Sequence, residues 1–332
     1  MNTTSDPTTA PALVHNPQDH TLSIHSLPVP TPIGPDEHLL VVQAVALTNG
    51  ELSWPEPAAV SPYSVPGYEV SGTVVSAPLD SPFRPGTAVY ARTAFERPGS
   101  ARVYSIARTA ELGRKPDNIS WEAAATVPLS ALTAWQALFD HGGLLAPADE
   151  PSSASQNRSK RILITAAAGG VGLWAVQLAK LAGAGCVIGT CGPANIDFVQ
   201  GLGADEVVDY TVVPDLGQWI GGKERFDLVL DCVGGRTLEQ AWLCVKDSGM
   251  LISIVQPPEI KRPQSGVSNA IRSKFFIVKA NGKQLERITT LIELGKCRTF
   301  VDSVFALEEF QQAFQKVHGG HVRGKVVLSI AT

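Results

Sequence analysis

Two rhythms of apolar and polar residues divide the chain. Between residues 21 and 120, short apolar segments recur at 22–27, 39–47, 70–75, 88–91 and 101–106. Proline and glycine punctuate them at Pro28, Pro30, Pro32, Pro66-Gly67, Pro85-Gly86 and Pro98-Gly99. Short runs between turn-forming residues predict strands, and their spacing predicts an irregular barrel or sandwich. The polar segment before them, MNTTSDPTTAPALVHNPQDH, reads as a flexible lead-in. Ser120 is suited to cap a helix over 121–127, with Glu122 in its first turn. Pro128 interrupts, and a second helix over 130–139 ends at His141-Gly142-Gly143. Residues 147–160, PADEPSSASQNRSK, have no apolar period and read as an exposed loop.

From residue 161 the rhythm changes. Apolar runs at 161–165, 186–190, 207–210, 226–232, 250–255 and 275–278 predict strands, with helices between them at 173–182 and 195–202. Such alternation predicts a parallel sheet with helices on both faces. The tail carries two helices, 284–294 and 307–317, and a last strand, 325–330. The pattern centres on KRILITAAAGGVG, residues 160–172, in which a buried strand enters a small-residue turn that opens a helix. Gly169 permits a tight turn, and Gly170 and Gly172 permit close approach of a pyrophosphate or a neighbouring strand. The first amides of the helix and its dipole would favour a negative ligand. The triplet is Ala166, Gly169, Gly172 rather than GxGxxG, so a turn serving packing alone is the alternative.

Length and composition narrow the classes. A chain of 332 residues accommodates two domains, and a net charge of −4 with mixed signs points to neither nucleic acid nor a membrane surface. No stretch approaches the ~18 apolar residues of a membrane span. The N-terminus lacks the basic and apolar regions of a secretory signal, and Ile330-Ala331-Thr332 is no peroxisomal address. Cys186, Cys191, Cys232, Cys244 and Cys297 form no CxxC, and read as reduced thiols of a cytoplasmic protein.

The segments AAAGGVG (166–172), LGADEVVDY (202–210), DLVLDCVGG (227–235) and RGKVVLSI (323–330) resemble the medium-chain dehydrogenase/reductase superfamily. PGYEVSGTVV (66–75) and PLSALTAWQAL (128–138) resemble its zinc-independent quinone oxidoreductase branch. The run 190–198, TCGPANIDF, looks like fungal enoyl reductases that act in trans on polyketide synthases. The resemblance covers residues 20–332. It implies an α/β protein with a GroES-like β-rich catalytic domain, 1–127 with 283–332, and a doubly wound Rossmann domain, 128–282. The active site would lie between them, and the family is commonly dimeric, so a homodimer is implied.

The same resemblance locates chemistry. Zinc members place a cysteine near 47–49, which reads Leu47-Thr48-Asn49 here, and a Gly-His-Glu where this chain has Gly67-Tyr68-Glu69. The cysteine-rich lobe for structural zinc is absent. Zinc needs N or S ligands that neither place supplies, so no metal is expected. His318 and His321, the only close histidine pair, read as loop residues facing solvent. No Tyr-x-x-x-Lys occurs either; Tyr104 is followed at that spacing by Arg108. Alcohol oxidation therefore lacks a Lewis acid and an evident base. Hydride transfer to an α,β-unsaturated carbonyl or a quinone needs only donors for the charge developing on oxygen.

Candidate donors are Tyr63, Asn49 and Thr133, each with a plainer reading as a packed loop tyrosine, a turn residue or helix core. Trp54, on a proline-stiffened loop, and Trp135 would line the substrate pocket. Ala168, Gly169, Gly170 and Val171 would hold the pyrophosphate. Cys232 and Val233 would bind the cofactor, Val255, Phe276 and Val278 would line the nicotinamide, and Lys325 would reach the cofactor unless it is simply solvated. An NAD site needs a carboxylate about twenty residues past the turn. This chain has Thr190-Cys191-Gly192 there, so NADPH is expected, with Thr190, Gly192, Asn195 and Tyr210 at its 2′-phosphate. No Lys or Arg lies between Lys180 and Lys223, and Ile196 stands where many relatives are basic. Alternatives are a carbonyl reductase tailoring a secondary metabolite, or a nucleotide-binding protein with little catalysis.

Overall fold

In a computed structural model, which describes residues 8–16, 18–19, 21–54, 64–147 and 152–330, strands begin earlier than the apolar pattern predicts. β1 (Thr9–Asn16) pairs antiparallel with β2 (Thr21–Pro28), so residues 9–16 of the expected flexible lead-in form a strand. Ala10, Ala12, Leu13 and His15 are buried while Thr9 and Pro11 are exposed. Alanines and a proline carry too little apolar weight to announce a strand; long-range pairing creates it. Leu13 N–H donates to the Ala101 carbonyl and Val103 N–H to that of Pro11.

β3 (Glu37–Ala46), β4 (Glu69–Ser76), β5 (Ala88–Arg92) and β6 (Tyr104–Arg108) fall where expected, and a short β7 (Leu112–Arg114) was not foreseen. Ser120 caps α1 (Trp121–Ala125), its Oγ accepting the Ala123 N–H. α2 (Pro128–Trp135) runs into a π-helical turn, Gln136–His141. Part of the expected exposed loop is α3 (Ser152–Asn157). Buried Asn157 anchors it, accepting the Leu145 N–H and donating to the Leu145 and Ala182 carbonyls.

β8 (Arg161–Ile164), α4 (Gly170–Leu181), β9 (Cys186–Cys191), α5 (Ile196–Gly201), β10 (Glu206–Asp209), α6 (Leu216–Trp219), β11 (Phe226–Asp231), α7 (Gly235–Cys244), β12 (Val245–Ser253) and β13 (Arg272–Phe275) then alternate. Their sheet is parallel throughout, ordered β10-β9-β8-β11-β12-β13. Numbered from β8 this is 3-2-1-4-5-6, the doubly wound Rossmann order. β13 ends at Phe275, so Phe276 and Val278 follow the strand instead of lying in it.

α8 (Gly282–Glu293), β14 (Val301–Ala306), α9 (Phe310–His318) and β15 (Lys325–Ser329) complete the chain. β15 joins the earlier strands in a sheet ordered β14-β15-β3-β4-β5-β7, with β6 also on β3. The chain forms two compact units, 1–132 with 279–332, and 133–278. Leu40, Val45, Val70, Val89, Phe314 and Leu328 belong to the core of the first, and Leu163, Phe226, Val229, Trp242 and Leu251 to that of the second. Each such side chain stabilises its unit by roughly 1.5–3 kcal/mol through lost water contact. The molecule is thus an α/β protein with a β-rich unit and a doubly wound parallel-sheet unit.

Candidate active site

The carboxyl edge of the parallel sheet is held by a hydrogen-bonded chain. The Thr190 Oγ1 accepts the Ala166 N–H at 3.2 Å. The Thr165 Oγ1 accepts the Cys232 N–H at 2.8 Å and donates to Asp231 Oδ1 at 3.3 Å. Asp231 is wholly buried and also accepts the Ser253 hydroxyl at 2.8 Å and the Gly234 N–H at 3.0 Å. These contacts fix the ends of β8, β9, β11 and β12 relative to one another. Asp231 had no role in the sequence reading; its only signal is a charge closing the apolar run FDLVLDC.

α4 begins at this edge. Its first intrahelical bond is Leu173 N–H to the Gly169 carbonyl, so the preceding amides have no intrahelical acceptor. Ala166 turns the chain at φ 49°. A Cβ on Gly172 would lie 2.2 Å from the Ala166 carbonyl oxygen, so the turn and helix close together only on glycine. Ala168, Gly169, Gly170 and Val171 therefore form one cradle, with Cys232, Val233 and Val255 at the neighbouring strand ends. Val233 and Val255 are about half exposed, at 48% and 46%. The end of β9 offers Thr190, Cys191 and Gly192 and no carboxylate. Exposed Tyr210 stands over Gly192, where a Cβ would come within 2.9 Å of its hydroxyl. Asn195 precedes α5.

Several expected residues are buried. Thr190 is buried with its hydroxyl on the Ala166 amide, so it shapes the turn. Phe276 is buried edge-on to His141, at 4.8 Å between centroids. Thr133 is buried, and Trp135 packs edge-on against Phe139 at 4.9 Å. The Cys232 thiol is pushed well above its ordinary value by burial and by Asp231, which keeps it neutral.

In the β-rich unit, the Glu69 Oε1 accepts the Leu129 and Ser130 N–H groups at 2.9 and 3.1 Å, capping α2 from β4. Glu69 Oε2 pairs with Lys325 Nζ at 3.1 Å, and Nζ also donates to Thr48 Oγ1 at 2.9 Å. Lys325 is only 7% exposed. Its ammonium is therefore engaged inside its own unit, which corrects the reading of a simply solvated lysine. Glu51 is buried beside this pair. Asn49 is exposed in the turn before Gly50, whose φ is 80°. Trp54 stacks on Tyr68 at 5.9 Å, and Phe95 meets Tyr68 edge-on at 6.5 Å. Tyr63 lies outside the described residues.

Comparison with known proteins fits this geometry. A family model described as "Zinc-binding dehydrogenase" matches residues 202–328. A "Probable zinc-binding oxidoreductase, mitochondrial" of Arthroderma benhamiae is 47% identical over 98% of both chains. The chain belongs to the medium-chain dehydrogenase/reductase superfamily. Within that superfamily it falls in the quinone oxidoreductase branch. The quinone oxidoreductase of Coxiella burnetii, 25% identical, superposes with a TM-score of 0.81 over 97% of this chain and all of that one. An "NAD(P)H oxidoreductase RTN4IP1, mitochondrial" of Danio rerio is 31% identical over 80% of this chain and 71% of its own.

This medium-chain dehydrogenase/reductase is thus an oxidoreductase, and the expectation of a cytoplasmic location is overturned. The Arthroderma benhamiae and Danio rerio relatives both carry mitochondrial names. Free cysteines mark a reducing compartment but do not distinguish one such compartment from another. Among the described residues, no group of three or more His, Cys, Asp or Glu is placed to hold a metal ion. Among the described residues, no helix is long and apolar enough to cross a membrane.

Proposed function

We propose that the protein is a zinc-independent, NADPH-dependent reductase that passes hydride to the β-carbon of an α,β-unsaturated carbonyl compound, or to a quinone. The observation that carries this reading is the cradle at the start of α4, at the carboxyl edge of a 3-2-1-4-5-6 sheet, with no carboxylate closing β9. That edge suits a dinucleotide: helix amides for the pyrophosphate, close approach at glycine, and exposed apolar Val233 and Val255 beside it. The missing carboxylate removes the partner that an unphosphorylated ribose would use. Gly192, Asn195 and Tyr210 would face the 2′-phosphate, through backbone, amide and hydroxyl donors. Bound there, NADPH supplies the hydride.

The residues present do not fit a catalytic zinc, so no step is routed through one. Leu47, Thr48 and Asn49 bring no thiolate, Tyr68 fills the histidine place with a stacked ring, and Glu69 is spent on Lys325 and α2. Oxyanion stabilisation then falls to hydrogen-bond donors, the role proposed for Tyr63, Asn49 and Thr133. Trp54 and Tyr68 offer a flat aromatic face suited to a conjugated small molecule. The test is NADPH oxidation by a simple benzoquinone and by an enone, with and without a chelator. Turnover that survives chelation and prefers NADPH over NADH is expected. Activity lost on chelation and restored by zinc, or equal use of NADH, would overturn the corresponding part.

A further inference from the structure

One segment of the first unit, residues 92–97, buries more donors than it has acceptors. Arg92 closes β5, is 6% exposed, and its Nε makes no hydrogen bond. Among the described residues its guanidinium has neither an ion pair nor a hydrogen bond. The Thr93 hydroxyl and the Arg97 Nε are also buried without a partner. The carboxylates that could serve Arg92 are committed elsewhere. Glu69, opposite it in the β4–β5 register, holds Lys325 and the α2 amides. Glu111 accepts the Ala94 and Arg108 N–H groups and pairs with Arg97. Glu96 is exposed to water.

Burial works against the Arg92 charge, and Glu111, Glu96 and Tyr68 offset this only in part. A guanidinium nevertheless keeps its proton at any ordinary pH. An unpaired buried charge is costly, so such a place favours an incoming anion. Arg92, Arg97 and Glu111 together carry one positive charge, which one negative charge would balance. Nε is the only Arg92 nitrogen both sealed from solvent and without a partner, so the tip of the fork stays reachable.

The same segment borders the aromatic face. Thr93 N–H donates to the Tyr68 carbonyl at 3.0 Å, and Phe95 meets the Tyr68 ring edge-on. That ring stacks on Trp54.

We propose that Arg92 anchors the carboxylate of an acidic quinone or enone whose flat part lies on Trp54 and Tyr68. This rests on the reductase reading and names the substrate class. A carboxylate is planar, meets a guanidinium fork with two parallel hydrogen bonds, and brings one charge. A phosphate brings about two charges at neutral pH, which Glu111 and Glu96 would oppose. Arg92 binds and orients the substrate and takes no part in hydride transfer.

The test has two arms. The first needs no turnover: benzoate is titrated against the protein and followed by tryptophan fluorescence. It should bind wild type, bind Arg92→Met and Arg92→Lys about tenfold or more weakly, and resist displacement by inorganic phosphate. Ligand-free Arg92→Met, relieved of an unpaired charge, should melt no lower than wild type. No benzoate binding to wild type overturns the proposal whether or not a variant folds. Equal binding to Arg92→Met, displacement by phosphate, or a lower Tm that assigns Arg92 to the fold overturns it too. The second arm compares NADPH-driven reduction of benzoquinone and of its carboxylated derivative. The ratio of kcat/KM, carboxylated over neutral, should fall about tenfold or more from wild type to Arg92→Met, since the ratio cancels the electronic effect of the carboxyl group. An unchanged ratio overturns the proposal. Should wild type reduce neither quinone, the reductase reading fails by itself, and the carboxylate anchor is decided by the first arm.

Discussion

Glu51 holds a proton in the folded protein over a pH range in which an unfolded chain has released it. Its folded value, about 7, lies above the ordinary 4.5. The folded state therefore binds the extra proton between these values, and stability falls as pH rises through that window. The two and a half units correspond to about 3 kcal/mol, fully lost above about pH 8. Glu51→Gln should show no such fall, so its stability relative to wild type should improve from about pH 5 to about pH 8, read by urea denaturation at each pH. Lys325→Met should act in the opposite sense. It leaves the Glu69 carboxylate buried with only two amides, and breaking such a pair costs about 3–5 kcal/mol, read as a fall in Tm at neutral pH. None of this cluster was legible from residue type. Lysine opening a terminal strand reads as solvated, and Thr48, Glu51, Glu69 and Lys325 meet only after three distant segments pair in one sheet.

At the scale of elements, the start of α4 was the most legible part, because its constraint is local. Each small residue answers a clash within a few positions, and the same logic makes a prediction. Gly172→Ala would drive a methyl into the Ala166 carbonyl at 2.2 Å. The turn must open, so NADPH affinity should fall about tenfold or more while far-UV circular dichroism stays native, checked by fluorescence titration. Elements whose causes lie elsewhere in the chain were missed. β1 reads TAPALVHN, with little apolar weight, and is held by its ladder with β2 and by further hydrogen bonds to Ala101 and Val103. α3 carries mostly polar residues, and buried Asn157 fastens its end. β12 was expected from residue 250, but it opens earlier with Val245 followed by Lys246, Asp247 and Ser248, so its polar start was hidden. β13 was displaced because Phe275, Phe276 and Val278 suggest a strand centre at what is the strand's end.

For the whole molecule, strand order decided what apolar pattern alone left open. Alternating strands and helices predict a parallel sheet; only the pairing shows 3-2-1-4-5-6, and with it the edge at which a dinucleotide belongs. NADPH at a hundred times its dissociation constant should stabilise the protein by about 2.7 kcal/mol, and NADH at the same concentration by less, read as unequal shifts in Tm. The absent carboxylate on β9 sets the direction of that difference. The shortage of basic residues between Lys180 and Lys223 keeps it modest.

The first unit's sheet is closed by a strand that follows the second unit in sequence, since β15 lies between β14 and β3. On the ribosome the early strands emerge with β6 on the first half of one β3 edge and Ala44–Ala46 unpaired, and the whole parallel-sheet unit is synthesised before their partner arrives. That unit is continuous and can fold as soon as it is clear of the exit tunnel, whereas the β-rich unit must wait. During the wait, β3 exposes the backbone groups that Val327, Leu328 and Ser329 later occupy, together with Val45 and its apolar neighbours. An open edge beside apolar side chains is the form in which chains capture one another. A chain cut before β15 is therefore expected to aggregate more readily than the full chain, read by light scattering.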